Sequence, residues 1–491
     1  MELIVLGTSA GKPTAERNVQ SAALKLEGGD VLLFDCGEGT QQQLLKLAKL
    51  RKGAVKIGSI SRVFVTHLHG DHCFGLPGLL CLVDAQASAN APPIEVVGPP
   101  GLRHFLRTAI VLSRTDIARG YYVTELVGAP PPTQLFRDSA RPLDDDAKCE
   151  MERVAAQTFQ MDPNASERPE LGRDIPFDGE AWRGVARGEG VDVTAAPVDH
   201  GEIVSVGYAY REAESLGKML PKRVEARCAE SGDAPQQLLA AVRQAARAGE
   251  TSVSLRDETS LDLTDVFEGG HVRRPGRLVV VLGDCRGGGK YALRIATGAD
   301  VVLHEATLSD AQHDLAASRG HSTPGIAGAF ARDCGASMLV LWHFSSRFKP
   351  QSEGTADARV TWPAEFQEAA RCAGPGPDGY AGDVVIASDL MAIPIPRREA
   401  QVNLGDSFYH GKPEGVAHSY EEAVRWWRLA AAQDHTGALY NLGTCHENGH
   451  GVPQDLHEAL RLYQRAAAKG HADAVTEVER LGAFLAAARA A

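Results

Sequence analysis

Short apolar runs separated by glycine-containing turns dominate the first 127 residues. Five of these runs have the length of strands: residues 3–7, 22–26, 31–35, 63–66 and 94–98. Between them, residues 40–50 and 101–112 carry apolar side chains at the three- and four-residue spacing that predicts helices. An alternation of short buried strands with helices is typical of an α/β domain.

The same alternation returns in the second half of the chain. Further strands are predicted at residues 191–197, 204–211, 278–282, 301–304, 338–342 and 384–387. Residues 212–277 are polar and predicted to be helical, with one clear helix at 238–248. Residues 128–190 are rich in proline, glycine and charge and have few apolar pairs, so we expect a long surface insertion there.

Beyond residue 397 the pattern changes to helical spacing alone, and the segment repeats itself. Glu422-Ala423 recurs 36 residues later as Glu458-Ala459, and Trp427 is matched by Tyr463. A period of this size indicates stacked helix–turn–helix units. The pattern resembles Sel-one-like repeats, which implies an unknown protein partner. We therefore predict two domains, residues 1–397 and a separable interaction module at 398–491.

Composition and charge narrow the classes of function. The net charge of −12 gives no general attraction for a polyanion, so a nucleic-acid ligand would need a local basic patch. The nine cysteines form no C-x-x-C pair, which favours reduced thiols. No run approaches the roughly 18 apolar residues of a membrane span, and no targeting peptide is seen. We expect no membrane association and a cytoplasmic location.

The strongest chemical signal follows the strand at residues 63–66. The segment reads Thr66-His67-Leu68-His69-Gly70-Asp71-His72. Three imidazoles and a carboxylate on one turn can converge on one or two metal ions, with Zn²⁺ favoured and Mn²⁺ or Fe²⁺ as alternatives. Further ligands must come from elsewhere, and three candidates stand at the ends of predicted strands: His200, Asp284 and His343.

Several motifs resemble those of ribonuclease Z, the tRNA 3′-processing endonuclease of the metallo-β-lactamase fold. They read FDCGEGTQ at 34–41, GLPG at 75–78, GY at 207–208, LGDCR at 282–286, HEAT at 304–307, HST at 321–323 and HFSSRF at 343–348. The resemblance covers about residues 1–395, apart from 128–190. It implies an α/β fold, an αββα metallo-β-lactamase sandwich, followed here by the small all-α helical-repeat domain.

The resemblance also implies roles for individual residues. Two zinc ions would be held, one by His67, His69 and His200, the other by Asp71, His72 and His343, with Asp284 bridging both. A metal-activated hydroxide would be the nucleophile, with Asp71 orienting or deprotonating the water. Glu305 and His321 would act as a pair in which the imidazole protonates the leaving oxygen. Asp35 is interpreted either as a partner of a zinc-bound histidine or as a turn residue.

The substrate implied by the resemblance is precursor tRNA, and the implied assembly is a homodimer. Residues 212–277 would form the arm that clamps the tRNA, although the family's glycine- and proline-rich tip is missing from it. The candidate substrate-binding residues are Lys218, Lys222, Arg223, Ser345 and Arg347. The alternative function is a phosphodiesterase or hydrolase of the same fold that acts on a small substrate.

Overall fold

The structure is a computed structural model. It describes residues 1–129, 162–186, 191–201, 203–217, 219–267, 273–348, 364–372, 380, 382–411, 418–431 and 435–490. The chain divides into two compact units. The first comprises residues 1–186, 193–210 and 278–491, and the second comprises 187–192 and 211–277. Among the described residues, no helix is long and apolar enough to cross a membrane.

An eight-stranded sheet forms one layer of the first unit. Its strands, numbered along the chain and given in spatial order, are Ala392–Pro394 (β21), Glu2–Gly7 (β1), Ser21–Lys25 (β3), Val31–Phe34 (β4), Ile60–Phe64 (β5), Ile94–Gly98 (β6), Tyr121–Val127 (β7) and Arg173–Pro176 (β8). From β4 to β8 neighbouring strands are parallel, whereas β21, β1 and β3 run in antiparallel pairs.

A seven-stranded sheet forms a second layer. In spatial order it contains Asp383–Ile386 (β20), Met338–Trp342 (β18), Val301–Glu305 (β17), Leu278–Leu282 (β16), Ile203–Glu212 (β11), Val191–His200 (β10) and Trp182–Ala186 (β9). Strands β16, β17, β18 and β20 are parallel. Every residue of β16, β17 and β18 is buried, which explains their nearly unbroken apolar sequences. A short parallel pair joins Ser9–Ala10 (β2) to Phe344–Ser345 (β19).

The two sheets pack face to face, and helices cover their outer faces. Phe34 and Phe64 of the first sheet contact Tyr208 of the second, with ring centroids 6.3 and 5.2 Å apart. The helices of this region are Thr40–Leu50 (α1), Gly70–Cys73 (α2), Leu76–Gln86 (α3), Leu102–Ser113 (α4), Gly289–Ala296 (α8), His313–Ser318 (α9), Pro324–Asp333 (α10) and Ala364–Arg371 (α11), with 3₁₀ turns at Ile57–Ser59 and Asp310–Gln312. Helices α1, α3 and α4 pack on the first sheet, and α8, α10 and α11 pack on the second. The predicted αββα sandwich is confirmed.

Part of the segment predicted as an insertion belongs to the sandwich. Strand β8 extends the first sheet beside β7, and β9 pairs with β10 at an edge of the second sheet. Trp182 is fully buried, and its indole N–H donates to the carbonyl of Val127 at 2.9 Å. These strands are short and contain charged residues, so long-range pairing decides their structure more than local sequence does. Residues 130–161 of the same segment lie outside the described residues.

The second unit has a small core of its own. Its helices are Pro221–Ser231 (α5), Pro235–Ala248 (α6) and Leu263–Val266 (α7), and its short strands are Ser215–Leu216 (β12), Ser252–Ser254 (β13), Ser260–Asp262 (β14) and Arg273–Arg274 (β15). Val224, Val242 and Phe267 are buried together in this core. Arg277 and Glu212 form an ion pair of 2.7 Å where the chain enters and leaves the unit.

The C-terminal segment is entirely helical among its described residues. Its helices are Arg398–His410 (α12), Tyr420–Ala431 (α13), Thr436–Asn448 (α14), Leu456–Ala468 (α15) and Ala472–Ala490 (α16). Leu404-Gly405 of the first copy corresponds to Leu442-Gly443 of the second, and helix packing explains why both copies have glycine. A Cβ atom at Gly405 would lie 2.3 Å from the Trp427 indole, and one at Gly443 would lie 2.6 Å from the Tyr463 ring. Each repeat therefore needs glycine where two helices cross closely.

Helix α13 lies beside β20, the edge strand of the seven-stranded sheet. Arg425 of α13 forms an ion pair of 2.8 Å with Asp383, the first residue of β20. Helix α11 also contacts this strand, because the Gln367 amide donates to the carbonyl of Val384 at 3.1 Å. The first repeat thus covers the β20 edge of the sandwich.

Candidate metal centre

The candidate ligands meet at the carboxyl ends of parallel strands from both sheets. His67 follows β5, Asp284 follows β16, and His343 follows β18. His200 is the last residue of β10. Carboxyl ends of parallel strands share one edge of a sheet, where the loops leave the layer and polar side chains converge. Residues that are far apart in the sequence are therefore brought into one site.

Three imidazoles form the first group. The His67 Nε2 atom lies 2.9 Å from Nδ1 of His69, and the His200 Nε2 atom lies 3.4 Å from that same His69 atom. His67 and His200 are buried, whereas His69 is exposed. Burial lowers the pKa of His67 and of His69, and neighbouring imidazoles lower it further. Both rings are therefore neutral at pH 7, which is the form that binds a metal.

A carboxylate and two imidazoles form the second group. Oδ2 of Asp71 lies 3.5 Å from Nε2 of His72 and 3.4 Å from Nε2 of His343. Burial opposes the ionisation of Asp71, but the nearby imidazoles of His343 and His72 outweigh burial and hold its pKa below the usual range. The backbone N–H of Gly11 also donates to Oδ2 of Asp71 at 2.6 Å. The loop after β1 thus helps to fix the carboxylate.

Asp284 stands between the two groups. Its Oδ2 atom is 4.0 Å from Nε2 of His67 and 3.2 Å from Nε2 of His343, and its Oδ1 atom is 3.5 Å from Nε2 of His72. Oδ1 of Asp284 and Nε2 of His72 are both buried without a hydrogen-bond partner among the described residues. Two atoms bound to one tetrahedral zinc ion at about 2.0–2.1 Å are about 3.3 Å apart. The spacing, the donor types and the unpaired buried atoms all fit zinc.

Asp35 lies directly behind the second group. Its Oδ2 atom is 2.8 Å from Nδ1 of His72 and accepts a hydrogen bond from the Thr66 hydroxyl at 3.0 Å. Its Oδ1 atom accepts from the Thr66 N–H at 2.7 Å. A carboxylate on Nδ1 keeps the proton there and leaves Nε2 free to bind metal. Asp35 and His343 both have positive φ, near 56° and 55°, a strained conformation that is common at functional sites.

The Asp35 contact gives a first prediction. In an Asp35→Asn variant, His72 loses the charged acceptor that fixes its tautomer, so zinc affinity is expected to fall about 10–100-fold. Competition with a zinc-binding dye measures this. A matched control is Asp30→Asn, an exposed carboxyl on a turn between strands of the same sheet, which is expected to bind zinc like the unaltered chain. Equal zinc affinity in Asp35→Asn and the unaltered chain would contradict the role.

A second pair of titratable groups adjoins the metal ligands. Nδ1 of His321 lies 2.9 Å from Oε1 of Glu305 and 3.8 Å from Oδ2 of Asp284. Burial disfavours the charge on His321, but the carboxylates of Glu305 and Asp284 outweigh burial and raise the pKa of His321 to about 9. Glu305 is fully buried and also accepts from the backbone N–H of Cys285 and of Ser322. The two carboxylates therefore favour the protonated form of His321.

Three residues of the site were not predicted from the sequence. The Thr66 hydroxyl lies 3.1 Å from Nδ1 of His67, and the Thr307 hydroxyl lies 2.9 Å from Nδ1 of His343. The Arg17 guanidinium donates to the carbonyls of Phe344 and Phe348 at 3.0 and 2.9 Å, which fixes the loop after His343. The two threonines could have been predicted from the sequence, because each adjoins a histidine motif at the end of a strand.

The predicted substrate-binding residues occupy two places. Ser345 is half-buried in the loop that follows His343, and Arg347 is exposed in the same loop. Lys222 and Arg223 are exposed at the start of α5 in the second unit, where Arg223 donates to the carbonyl of Asp265 at 2.9 Å. Lys218 lies outside the described residues.

Two family models match parts of the chain. The model of the Sel1 repeat matches residues 398–435 and 436–471, which coincide with the two copies predicted from the sequence. The model described as anti-Pycsar protein Apyc1 matches residues 1–94.

Several curated relatives and solved structures are similar over most of the chain. The zinc phosphodiesterase ELAC protein 1 of Mus musculus is 36% identical over 403 residues, covering 81% of this chain and 99% of the relative. Ribonuclease Z of Geobacillus kaustophilus is 34% identical over 367 residues, covering 74% and 95%. The crystal structure of human tRNase Z, short form, is 29% identical with a TM-score of 0.48, covering 81% of this chain and 100% of the other.

Proposed function

This chain belongs to the family of ribonuclease Z and zinc phosphodiesterase ELAC protein 1, and on that premise we propose that it removes the 3′ trailer from precursor tRNA. The family predicted from the sequence motifs is confirmed by these relatives. The chain is accordingly a zinc phosphodiesterase of the endoribonuclease class. The proposed products are a tRNA with a 3′-hydroxyl and a trailer with a 5′-phosphate.

One observation carries the proposal: the Glu305–His321 pair adjoins Asp284, the carboxylate that lies between the two groups of candidate ligands. Hydrolysis of an internal phosphodiester requires stabilisation of charge on phosphorus and a proton for a poor leaving group. The first task falls to the metal centre, and the second requires a nearby acid. The site offers both within 4.0 Å of one carboxylate, that of Asp284.

We assign His67, His69 and His200 to one zinc ion, Asp71, His72 and His343 to a second, and Asp284 to both. When bound, the ions supply Lewis acidity that lowers the pKa of water and neutralises charge on the phosphate. The chain's own residues then handle the protons. Asp71 orients or deprotonates the attacking water, whose oxygen bonds to phosphorus, and the N–H of Gly11 holds its carboxylate in place.

His321 serves the leaving group. As the bond between phosphorus and the 3′ oxygen of the tRNA breaks, the protonated imidazole donates to that oxygen. Glu305 holds the ring through Nδ1 and stabilises its positive charge, so Nε2 is the donor atom. The phosphate remains on the trailer and the hydroxyl on the tRNA, which balances the reaction.

Binding of the tRNA is assigned to the basic residues of the arm and of the loop after His343. In a chain with a net charge of −12, Lys218, Lys222 and Arg223 lie within six residues of one another in the sequence and supply local positive charge. Lys222 and Arg223 are exposed, and Pro221 at the start of α5 fixes the backbone beside them. Ser345 and Arg347 stand next to a metal ligand and are assigned to the phosphates near the cleavage point.

The arm assignment predicts a change in binding without a change in chemistry. Neutralising Lys218, Lys222 and Arg223 to glutamine is expected to raise KM for precursor tRNA and to flatten the salt dependence of binding, by roughly one unit of slope per lost phosphate contact. Hydrolysis of bis(nitrophenyl) phosphate is expected to stay unchanged. Arg243→Gln, an exposed arginine on α6 of the same unit, is the matched control. An unaltered salt slope in the triple variant would place the tRNA contacts elsewhere.

Cleavage mapping tests the proposed function directly. The purified zinc-loaded chain is incubated with a precursor tRNA, and the ends of both products are determined. Cleavage after the discriminator nucleotide, with a 3′-hydroxyl on the tRNA, is expected. Turnover of bis(nitrophenyl) phosphate without cleavage of the precursor would instead support the small-substrate alternative.

Three further assignments accompany the proposal. Family membership supports a homodimer, and the Sel1 repeats support an unidentified protein partner at residues 398–491. Light scattering of the purified chain tests the first, with twice the chain mass of 52.3 kDa as the expected result. The cytoplasmic location expected from the sequence stays a prediction.

A further inference from the structure

A cavity of about 380 Å³ lies between the sandwich and the repeats, away from the metal centre. Its walls come from the end of α11, the residues that precede β20, and helices α13, α14 and α15. The volume falls within the range of sites for small ligands. No motif or relative assigns a role to it.

Positive charge is concentrated in this cavity. Four arginines line it, together with a single carboxylate: Arg371, Arg428, Arg461, Arg465 and Glu458. Glu458 is already engaged, because it accepts from Arg461 at 2.7 and 2.8 Å. The Arg371 and Arg428 side chains form no ion pair or hydrogen bond with any described residue. Arg371 and Arg428 are both exposed, so an anion that enters the cavity can bind their guanidinium groups directly.

The like charges are close enough to influence each other. Partial desolvation lowers the pKa of Arg428, although the side chain keeps an exposed surface, and the positive charge of Arg371 lowers it further. The negative charge of Asp383 raises the pKa of Arg428, but the Asp383 carboxylate is paired with Arg425 at 2.8 Å. An anion in the cavity would relieve this repulsion.

Buried polar atoms without partners provide a second, independent observation. Tyr380 lines the cavity and is 5% exposed, yet its hydroxyl has no hydrogen-bond partner among the described residues. Nδ1 of His446, also in the lining, is likewise buried and unpaired. An unpaired buried polar group costs free energy, so most such groups in native proteins bind protein, water or ligand atoms.

We propose that this cavity binds a small organic phosphate of nucleotide size at the junction of the sandwich and the repeats. Guanidinium groups bind phosphate oxygens through two parallel hydrogen bonds, so Arg371 and Arg428 would hold the phosphate from opposite walls. The Tyr380 hydroxyl would donate to a remaining oxygen. Leu442 and Leu462 supply an apolar wall for the organic part of the ligand. Because its walls come from both parts of the chain, a bound ligand would join them.

The test measures the binding of adenosine monophosphate, pyrophosphate and inorganic phosphate to the full zinc-loaded chain by calorimetry. Saturable binding of adenosine monophosphate is expected. Arg371→Gln and Arg428→Gln are each expected to weaken it about tenfold or more, because each loses a charge-assisted hydrogen bond. Arg332→Gln, at the end of α10 and outside the cavity, is the matched control and is expected to bind normally.

Tyr380→Phe separates binding from folding. The hydroxyl has no partner among the described residues, so the variant's melting temperature is expected to equal or exceed that of the unaltered chain, while adenosine monophosphate binds several-fold more weakly. Cleavage of precursor tRNA without added ligand is expected to be unchanged in all these variants, since none contacts the metal centre.

Two results would overturn the proposal. Binding that is equal in all variants would assign the phosphate to the metal centre. A raised KM for precursor tRNA in Arg371→Gln or Arg428→Gln, without binding of any small phosphate, would assign the cavity to RNA. Both results are distinct from a failure of the proposed tRNA cleavage, which cleavage mapping tests with the unaltered chain.

Discussion

Replacing Asp284 with asparagine is expected to remove most bound zinc and to abolish turnover. Asp284 is 2% exposed and lies within 4.0 Å of ligand atoms from both groups of histidines, so its loss affects both metal positions. The loss of activity is expected to exceed the about 10²–10⁴-fold cost of removing a general acid. It should also exceed that of His67→Ala, which removes a ligand from one group only.

Elemental analysis after desalting, combined with rates on precursor tRNA, measures both effects. Asp300→Asn is a suitable control, because Asp300 is also a buried carboxyl on the seven-stranded sheet but precedes β17 at the end remote from the metal centre. It is expected to retain zinc. Two zinc ions per chain in Asp284→Asn would rule out the bridging role.

Replacing His321 with alanine is expected to have the opposite signature: zinc is retained and turnover of precursor tRNA falls about 10²–10⁴-fold. The imidazole lies near Glu305 and Asp284 but is assigned to neither zinc ion. Its proposed role is to supply the proton for the leaving oxygen. Nitrophenolate leaves without a proton, so bis(nitrophenyl) phosphate should be affected much less. His313→Ala, an exposed histidine on α9, is the control. Equal losses on the two substrates would argue against proton donation.

A pH profile examines the same pair. Glu305 helps to raise the pKa of His321 to about 9, and the donor form exists below that pKa. Replacing Glu305 with glutamine removes the negative charge, so the pKa of His321 falls and the alkaline limit of activity should move to lower pH. An unmoved alkaline limit would mean that another group governs it.

The sequence predicted the sandwich and most of the metal cluster for a physical reason. His67, His69, Asp71 and His72 follow one apolar strand, and histidines or aspartates at the ends of parallel strands share an edge of the fold. The structure brings all seven candidate ligands into one cluster, which also contains Glu305 and His321. Their assignment to zinc ions is a proposal that the Asp284 experiment addresses.

Other features depended on partners that the local sequence does not reveal. Strand β8 contains Arg173, Asp174 and Pro176, which argue against a strand until β7 supplies the pairing. The cavity between the sandwich and the repeats could not be predicted from the sequence either. Arg371 and Arg428 belong to helices that are distant in the sequence and line one cavity only in the folded chain. The Arg17 contacts join the loop after β1 to the loop after His343, across most of the chain.

The position of helix α13 beside β20 has a consequence for how this chain can be shortened or fused. An uncovered parallel edge strand offers free backbone groups to any other strand, including that of a second copy. A chain ending before the repeats would expose β20, so its self-association would grow with concentration even if every metal ligand were intact. We therefore expect residues 1–397 alone to self-associate unless another element covers β20, and the separability of residues 398–491 stays a prediction.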